Sequence, residues 1–142
     1  MKRTDGWESL LNYHIEKHFC MERKWGRVDC CFFIVDWIEL ATGVDTGGDF
    51  RNKYRSRSGA YKAIEKYSGS GFDEAIDMLA EKFLMKEINP LLGQRGDVVT
   101  VPGNGSNALG LISSNGRDVL VQGKNGLDVV PITSAVKCWR VG

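Results

Sequence analysis

Between Asp29 and Thr42 the chain reads Asp-Cys-Cys-Phe-Phe-Ile-Val-Asp-Trp-Ile-Glu-Leu-Ala-Thr, and only Asp36 and Glu39 interrupt its apolar character before the end. A segment of that composition is stable in water only when it is covered on most sides. It therefore predicts a buried helix, ended by Thr42-Gly43, around which the rest of the chain must be arranged. Asp29 is a favourable N-cap, because its short carboxylate can reach the free amides of the first turn. The cap by itself predicts that Asp29→Ala costs about 1 kcal/mol. Cys30 then takes the first helical position, where unpaired amides and the helix dipole favour a thiolate. Two readings follow for Cys30 and Cys31. They are small apolar residues opening a core helix, or Cys30 is a poised nucleophile.

The remainder of the chain divides into a helical half, residues 1–89, and a strand half, residues 90–142. Ahead of the central helix, Trp7, Leu10, Leu11, His14, Ile15 and His18 fall at helical spacing, and Asp5 with Glu8 forms a candidate capping box. Gly43 to Arg57 is rich in glycine and charge and reads as an exposed connector. Two further helices are expected, Gly59 to Tyr67 and Phe72 to Met85, separated by Ser68-Gly69-Ser70-Gly71. After Asn89-Pro90 the pattern changes to short apolar runs split by turn signals: Asp97 to Val101, Leu109 to Ser113, Val119 to Gln122, Leu127 to Ile132 and Val136 to Val141. Asn115-Gly116 and Asn125-Gly126 are hairpin turn pairs. The expected fold is α+β, with N-terminal helices packed on an antiparallel five-strand meander. At 142 residues, 42% hydrophobic and 26% charged, the chain can build one self-sufficient core and is too short for two comfortable domains.

Charge and cysteine usage exclude several classes of function. A net charge of +1 calls for no polyanionic partner. Arg51, Lys53, Arg55, Arg57 and Lys62, interleaved with Tyr54 and Tyr61, read as a nucleic-acid patch or as a solvated loop docking acidic neighbours. The short run and balanced total charge favour the loop. Gly103 to Asn107 lacks the lysine and following helix of a phosphate loop and reads as a turn between strands. No stretch has membrane-spanning length, and Met1 to Gly6 leads into an amphipathic helix instead of a signal-peptide core. Cys20, Cys30, Cys31 and Cys138 show no Cys-x-x-Cys spacing, so reduced thiols are expected. A metal or iron–sulfur site built from these with His18 has no supporting ligand spacing, and no cofactor is expected.

Trp25-Gly26 followed by Asp29-Cys30 and the apolar helix resembles the aromatic-Gly…Asp-Cys signature of NlpC-type cell-wall peptidases, in which the cysteine opens the central helix of a papain-like fold. Arg95-Gly96-Asp97-Val98-Val99 resembles the start of that family's first core strand. Leu109-Gly110-Leu111-Ile112 resembles the next strand, where the family's histidine position falls on Ala108 in this chain. Val119-Leu120-Val121-Gln122 resembles the strand carrying the polar residue that orients the histidine, which implies that role for Gln122. More closely, Trp-Gly-x-x-Asp-Cys, Asp-Trp, Thr-Gly-x-Asp, Tyr-Arg and a late Gly-Asp-Val-Val resemble a small family encoded beside tail-tip genes in long-tailed phages and gene-transfer particles. The resemblance implies a papain-like fold with Cys30 as candidate nucleophile, tail-tip or hub proteins as partners, peptidoglycan as a second one, and a passage from host cytoplasm to virion tail.

The departure at Ala108 governs the functional expectation. Alanine cannot take a thiol proton, and neither can the neighbouring Asn107 amide. The chain's 2 histidines, His14 and His18, both precede the cysteine. Either one of them swings over Cys30 as a replacement base, or both are interior histidines satisfied by hydrogen bonds. The expectation is a degenerate peptidase fold that acts by binding. The alternatives are an active peptidase or amidase using Cys30 with His14 or His18, and a bacterial interaction domain unrelated to phage.

Overall fold

The apolar run forms a helix, α2 (Cys30–Thr42), in the computed structural model, which describes residues 1–142. Phe32, Phe33, Ile34, Val35, Trp37, Ile38 and Ala41 are buried, while Glu39 faces solvent. Gly43 ends it in the left-handed conformation, its N–H donating to Glu39 O. The first helix, α1 (Trp7–His18), lays Leu11, His14 and His18 inward. The capping box expected from Asp5 and Glu8 does not form: the N-cap is Gly6, left-handed at φ +78 and without a side-chain cap. α3 (Arg57–Ser68) opens two residues before Gly59 because the Ser56 hydroxyl accepts from Gly59 N–H at 3.0 Å. α4 (Phe72–Lys82) begins where Glu74 accepts from Gly71 N–H.

The strand half departs from a five-strand meander. Six strands, β1 (Glu87–Ile88), β2 (Val98–Pro102), β3 (Asn107–Ile112), β4 (Asp118–Gln122), β5 (Leu127–Pro131) and β6 (Lys137–Trp139), lie in the order β1-β6-β2-β3-β4-β5. All pairs are antiparallel. Only β2 to β5 form a meander. From β5 the chain crosses through a short 3-10 turn, Ile132–Ser134, to insert β6 beside β2, pairing Val98 with Trp139 and Val99 with Cys138. The reason is burial: Cys138 and Trp139 are both interior, one on each face, whereas the β5 edge exposes Val129. β1, only two residues long, carries too little pattern to be read from sequence.

Alternation along the strands divides the interior. Val98, Leu109, Leu111 and Leu120 join Leu11, Phe33, Ile34, Trp37 and Ile38 in a core between sheet and helices. Val99, Val101, Ile112, Val119 and Cys138 form a second core on the opposite face. No helix covers that face. Ile88, Val130, Ile132 and Ala135, from the sheet's own edges and the crossing turn, close it, so the sheet curls around it.

The connector is less exposed than its composition suggests. Tyr54 and Thr46 are buried, and Tyr54 packs with Phe32, Val35 and Ala60. As the docking-loop reading expects, Arg51 bridges Asp36, Glu39 and Asp45 at 3.1, 3.2 and 2.9 Å. A second tie joins the chain's ends. Asp97 accepts from Arg3 Nη2 at 2.9 Å, Val141 N–H at 3.1 Å and Gln94 N–H at 3.0 Å. Trp37 Nε1 donates to Gly96 O at 2.8 Å, so the Gly-Asp pair also anchors α2. No helix is long and apolar enough to cross a membrane. The four cysteines are free and do not converge: Cys138 lies in the second core, away from Cys30 and Cys31.

Candidate functional site

Asp29 does more than cap a helix. Its Oδ1 accepts from Phe32 N–H at 2.9 Å, while Oδ2 accepts from Gly26 N–H at 3.0 Å and from the Tyr54 hydroxyl at 2.7 Å. Gly26 stands at φ +86, and a Cβ there would collide with the Tyr54 carbonyl. The glycine of the Trp-Gly pair is thus required for the connector to close over the N-terminus of α2. Burial and the neighbouring thiols and carboxylate raise the Tyr54 phenol, so it remains a donor to Asp29.

That buttress aims Cys30 into a cleft of about 370 Å³ between the start of α2, the start of α3 and the ends of β2, β3 and β4. The Cys30 thiol is lowered below its ordinary range, chiefly by the adjacent Cys31 thiol and to a smaller extent by the Leu109 amide, against a desolvation that pushes the other way. Cys31 beside it is raised well above its ordinary range, by Cys30 first and then by burial. At a helix N-terminus this is the environment of a nucleophilic sulfur. Two cation–aromatic pairs flank the opening: Arg23 lies over the Trp25 ring at 5.1 Å and Arg57 over the Tyr61 ring at 5.7 Å.

The fold brings together most of the residues singled out in the sequence. Asp29, Cys30, Asn107, Ala108 and Gln122 all line this cleft. The Asn107 amide is turned away, donating to both oxygens of Asp73 at 3.1 and 3.3 Å. Gln122, 2% exposed, donates through Nε2 to Met21 O at 2.8 Å and Gly123 O at 3.0 Å. Its Oε1 has no partner. Tyr54, grouped in sequence with a basic surface run, belongs to the site. The Tyr-Arg pair of the resemblance was the only signal for it.

His14 and His18 are not there. They stand against α2 beside Phe33, with ring centroids 4.3 Å apart and 5.0 and 5.2 Å from the Phe33 ring. His14 Nε2–H donates to Phe33 O at 2.8 Å, and His18 Nδ1–H donates to His14 O at 2.9 Å. Neither lines the cleft. Of the two readings offered for His14 and His18, the structure has the interior one, histidines with bonded rings, and not the replacement base. The cause is helix packing: the stripe that carries them on α1 is the face α2 covers.

Their burial has a measurable consequence. Desolvation lowers His14 to about 4, outweighing the bond to Phe33 O, and lowers His18 in the same direction. In the unfolded chain His14 protonates near its ordinary 6.5. Between those values the unfolded state binds the extra proton, so His14's contribution is complete above that ordinary value and is lost as pH falls towards about 4. The expected loss is up to about 3 kcal/mol. Denaturant titrations across that range should show a shallower pH dependence for His14→Leu than for the unsubstituted protein, and equal slopes would remove the assignment.

The family model described as "Domain of unknown function (DUF6950)" matches residues 2–141. No curated protein matches the chain. Matched over nearly its whole length, the chain belongs to the DUF6950 family.

Proposed function

We propose that this domain is a degenerate NlpC-type, papain-like fold that acts by binding, as a component of a phage tail tip or of its assembly. The observation that carries the reading is the cleft: a cysteine at the start of a buried helix faces a sheet in which Ala108 holds the position aligned with the family's histidine, and no imidazole lines the site. Without a base, the thiol loses the proton shuttle that acyl transfer needs. What remains is a groove with apolar walls from Val101, Val121 and Val130 and cation–aromatic pairs at its mouth, suited to an extended polypeptide of a neighbouring tail protein or to a peptidoglycan stem. The domain would then pass from the host cytoplasm into the virion tail.

One observation favours the alternative, an active cell-wall peptidase or amidase: the lowered Cys30 thiol. Two measurements separate the readings. Peptidoglycan-derived peptides should show no turnover, and hydrolysis abolished by Cys30→Ala would replace the binding reading with the enzyme. Mass spectrometry of purified particles should find the chain in the tail, or in assembly intermediates if it acts as a chaperone. Its absence from both would remove the phage assignment and leave a bacterial interaction domain.

A further inference from the structure

Six cations of the chain lie over aromatic rings. In four of these pairs the cation also meets a carboxylate: Arg3 with Asp97 at 2.9 Å, Arg51 with Asp45 at 2.9 Å, Lys82 with Asp49 at 3.0 Å and Arg95 with Glu8 at 3.9 Å. Arg23 over Trp25 and Arg57 over Tyr61 have no such partner, and they are the two pairs that line the cleft. Neither guanidinium has a carboxylate within 4.0 Å.

A ring under one face fixes where a guanidinium stands but takes none of its N–H donors. Arg57 gives one to Asn104 O at 3.1 Å, and the other side-chain donors of both arginines have no acceptor in the chain. The cleft's own acids do not serve. Asp29 is taken by three donors, and Asp128, exposed on β5, stands against Gly123, where a Cβ would collide with its carboxylate. Inside the opening the walls are apolar, from Val101, Val121 and Val130. Two pre-positioned guanidinium forks at the rim of an apolar groove match carboxylates, which they can bind through two N–H donors each. A nucleic-acid strand is a poorer match, because its phosphates repeat along the whole strand and these two arginines are the only cations in the lining.

We propose that the cleft takes an extended segment of a partner protein in which acidic side chains stand on both sides of an apolar one. Arg23 and Arg57 each donate to a carboxylate of that segment, and its apolar side chain lies against Val101, Val121 and Val130. The two arginines are then the residues that determine the groove's specificity. The inference rests on the reading of the cleft as a binding groove and adds the chemistry of the partner. Both arginines are exposed, so their attraction is screened and affinity should fall as salt rises.

The probe is an array of random dodecapeptides, read with the fluorescently labelled full chain at low ionic strength. Bound peptides should be enriched in Asp and Glu on both sides of an apolar residue. For the best of them, Arg23→Glu/Arg57→Glu should weaken binding about tenfold or more, since like charges then face each other, and the array preference should turn towards Lys and Arg. An unchanged Tm of the double variant separates lost binding from lost folding. An array without acidic preference overturns the proposal and needs no variant. Acidic preference that survives the double reversal places the site elsewhere and overturns it too. So does displacement of the best peptide by a peptidoglycan stem tetrapeptide or by oligothymidylate at a lower concentration than by the unlabelled peptide itself, because the occupant is then of that class. A featureless array would leave the chain's presence in tails untouched, and a chain missing from particles would leave the acidic preference untouched.

Discussion

Asp97→Ala is expected to destabilise the domain by about 3–5 kcal/mol, the range for breaking a buried ion pair by deleting one partner. Asp97 is 1% exposed and accepts from three donors: the Arg3 guanidinium, Val141 N–H and Gln94 N–H. Deleting the carboxylate strands a half-buried cation. Burial already lowers Arg3 against the pull of Asp97, so without that partner the guanidinium must move into water. It would then release its bonds to Val141 O at 2.6 Å and Arg95 O at 3.1 Å. Both termini would loosen, and the Trp37 anchor on Gly96 would weaken with them. Urea denaturation measures the loss directly. Asp97→Asn should fall between the two, since it keeps an acceptor but not the charge. A change under about 1 kcal/mol for Asp97→Ala would show that the termini are not held this way.

Asp29→Ala is the second large effect, about 3 kcal/mol, well above the figure for a helix cap alone. The cap accounts for the bond from Phe32 N–H. The excess comes from Gly26 N–H and the Tyr54 hydroxyl, which point at the same carboxylate and would be left without acceptors. Tyr54→Phe removes a donor instead of an acceptor and should cost only about 1 kcal/mol. The double substitution should therefore cost less than the sum of the singles, because the orphaned hydroxyl is gone. Additive losses would show that the Tyr54 bond contributes nothing to closing the connector over α2.

These two residues also mark how far the sequence could be read. Asp29 was legible as a cap from its place before an apolar run, and Asp97 only as the first residue of an expected strand. Their further partners were not, since Tyr54 is 25 positions from Asp29 and Arg3 is 94 from Asp97. The candidate site followed the same rule. Alignment to short motifs picked Cys30, Ala108 and Gln122, which do share a cleft, but periodicity could place His14 and His18 only on a packing face of α1 without saying what lies beneath it.

By itself the sequence determined the existence and approximate limits of α2, α3, α4 and the strands from β2 onward, together with the Thr42-Gly43 stop after α2 and the turns between β3, β4 and β5. Those features rest on interactions within about four residues, or on alternation along one strand, and such terms are complete in a short window. Tertiary structure decided the insertion of β6 between β1 and β2, the burial of Thr46 and Tyr54 within an otherwise exposed connector, the locking of both histidines against Phe33, and the meeting of Gln122 with Met21 across 101 positions. Each of these is selected by which buried surface needs cover and which buried polar atom needs a partner. Those demands are set only when the whole core has closed.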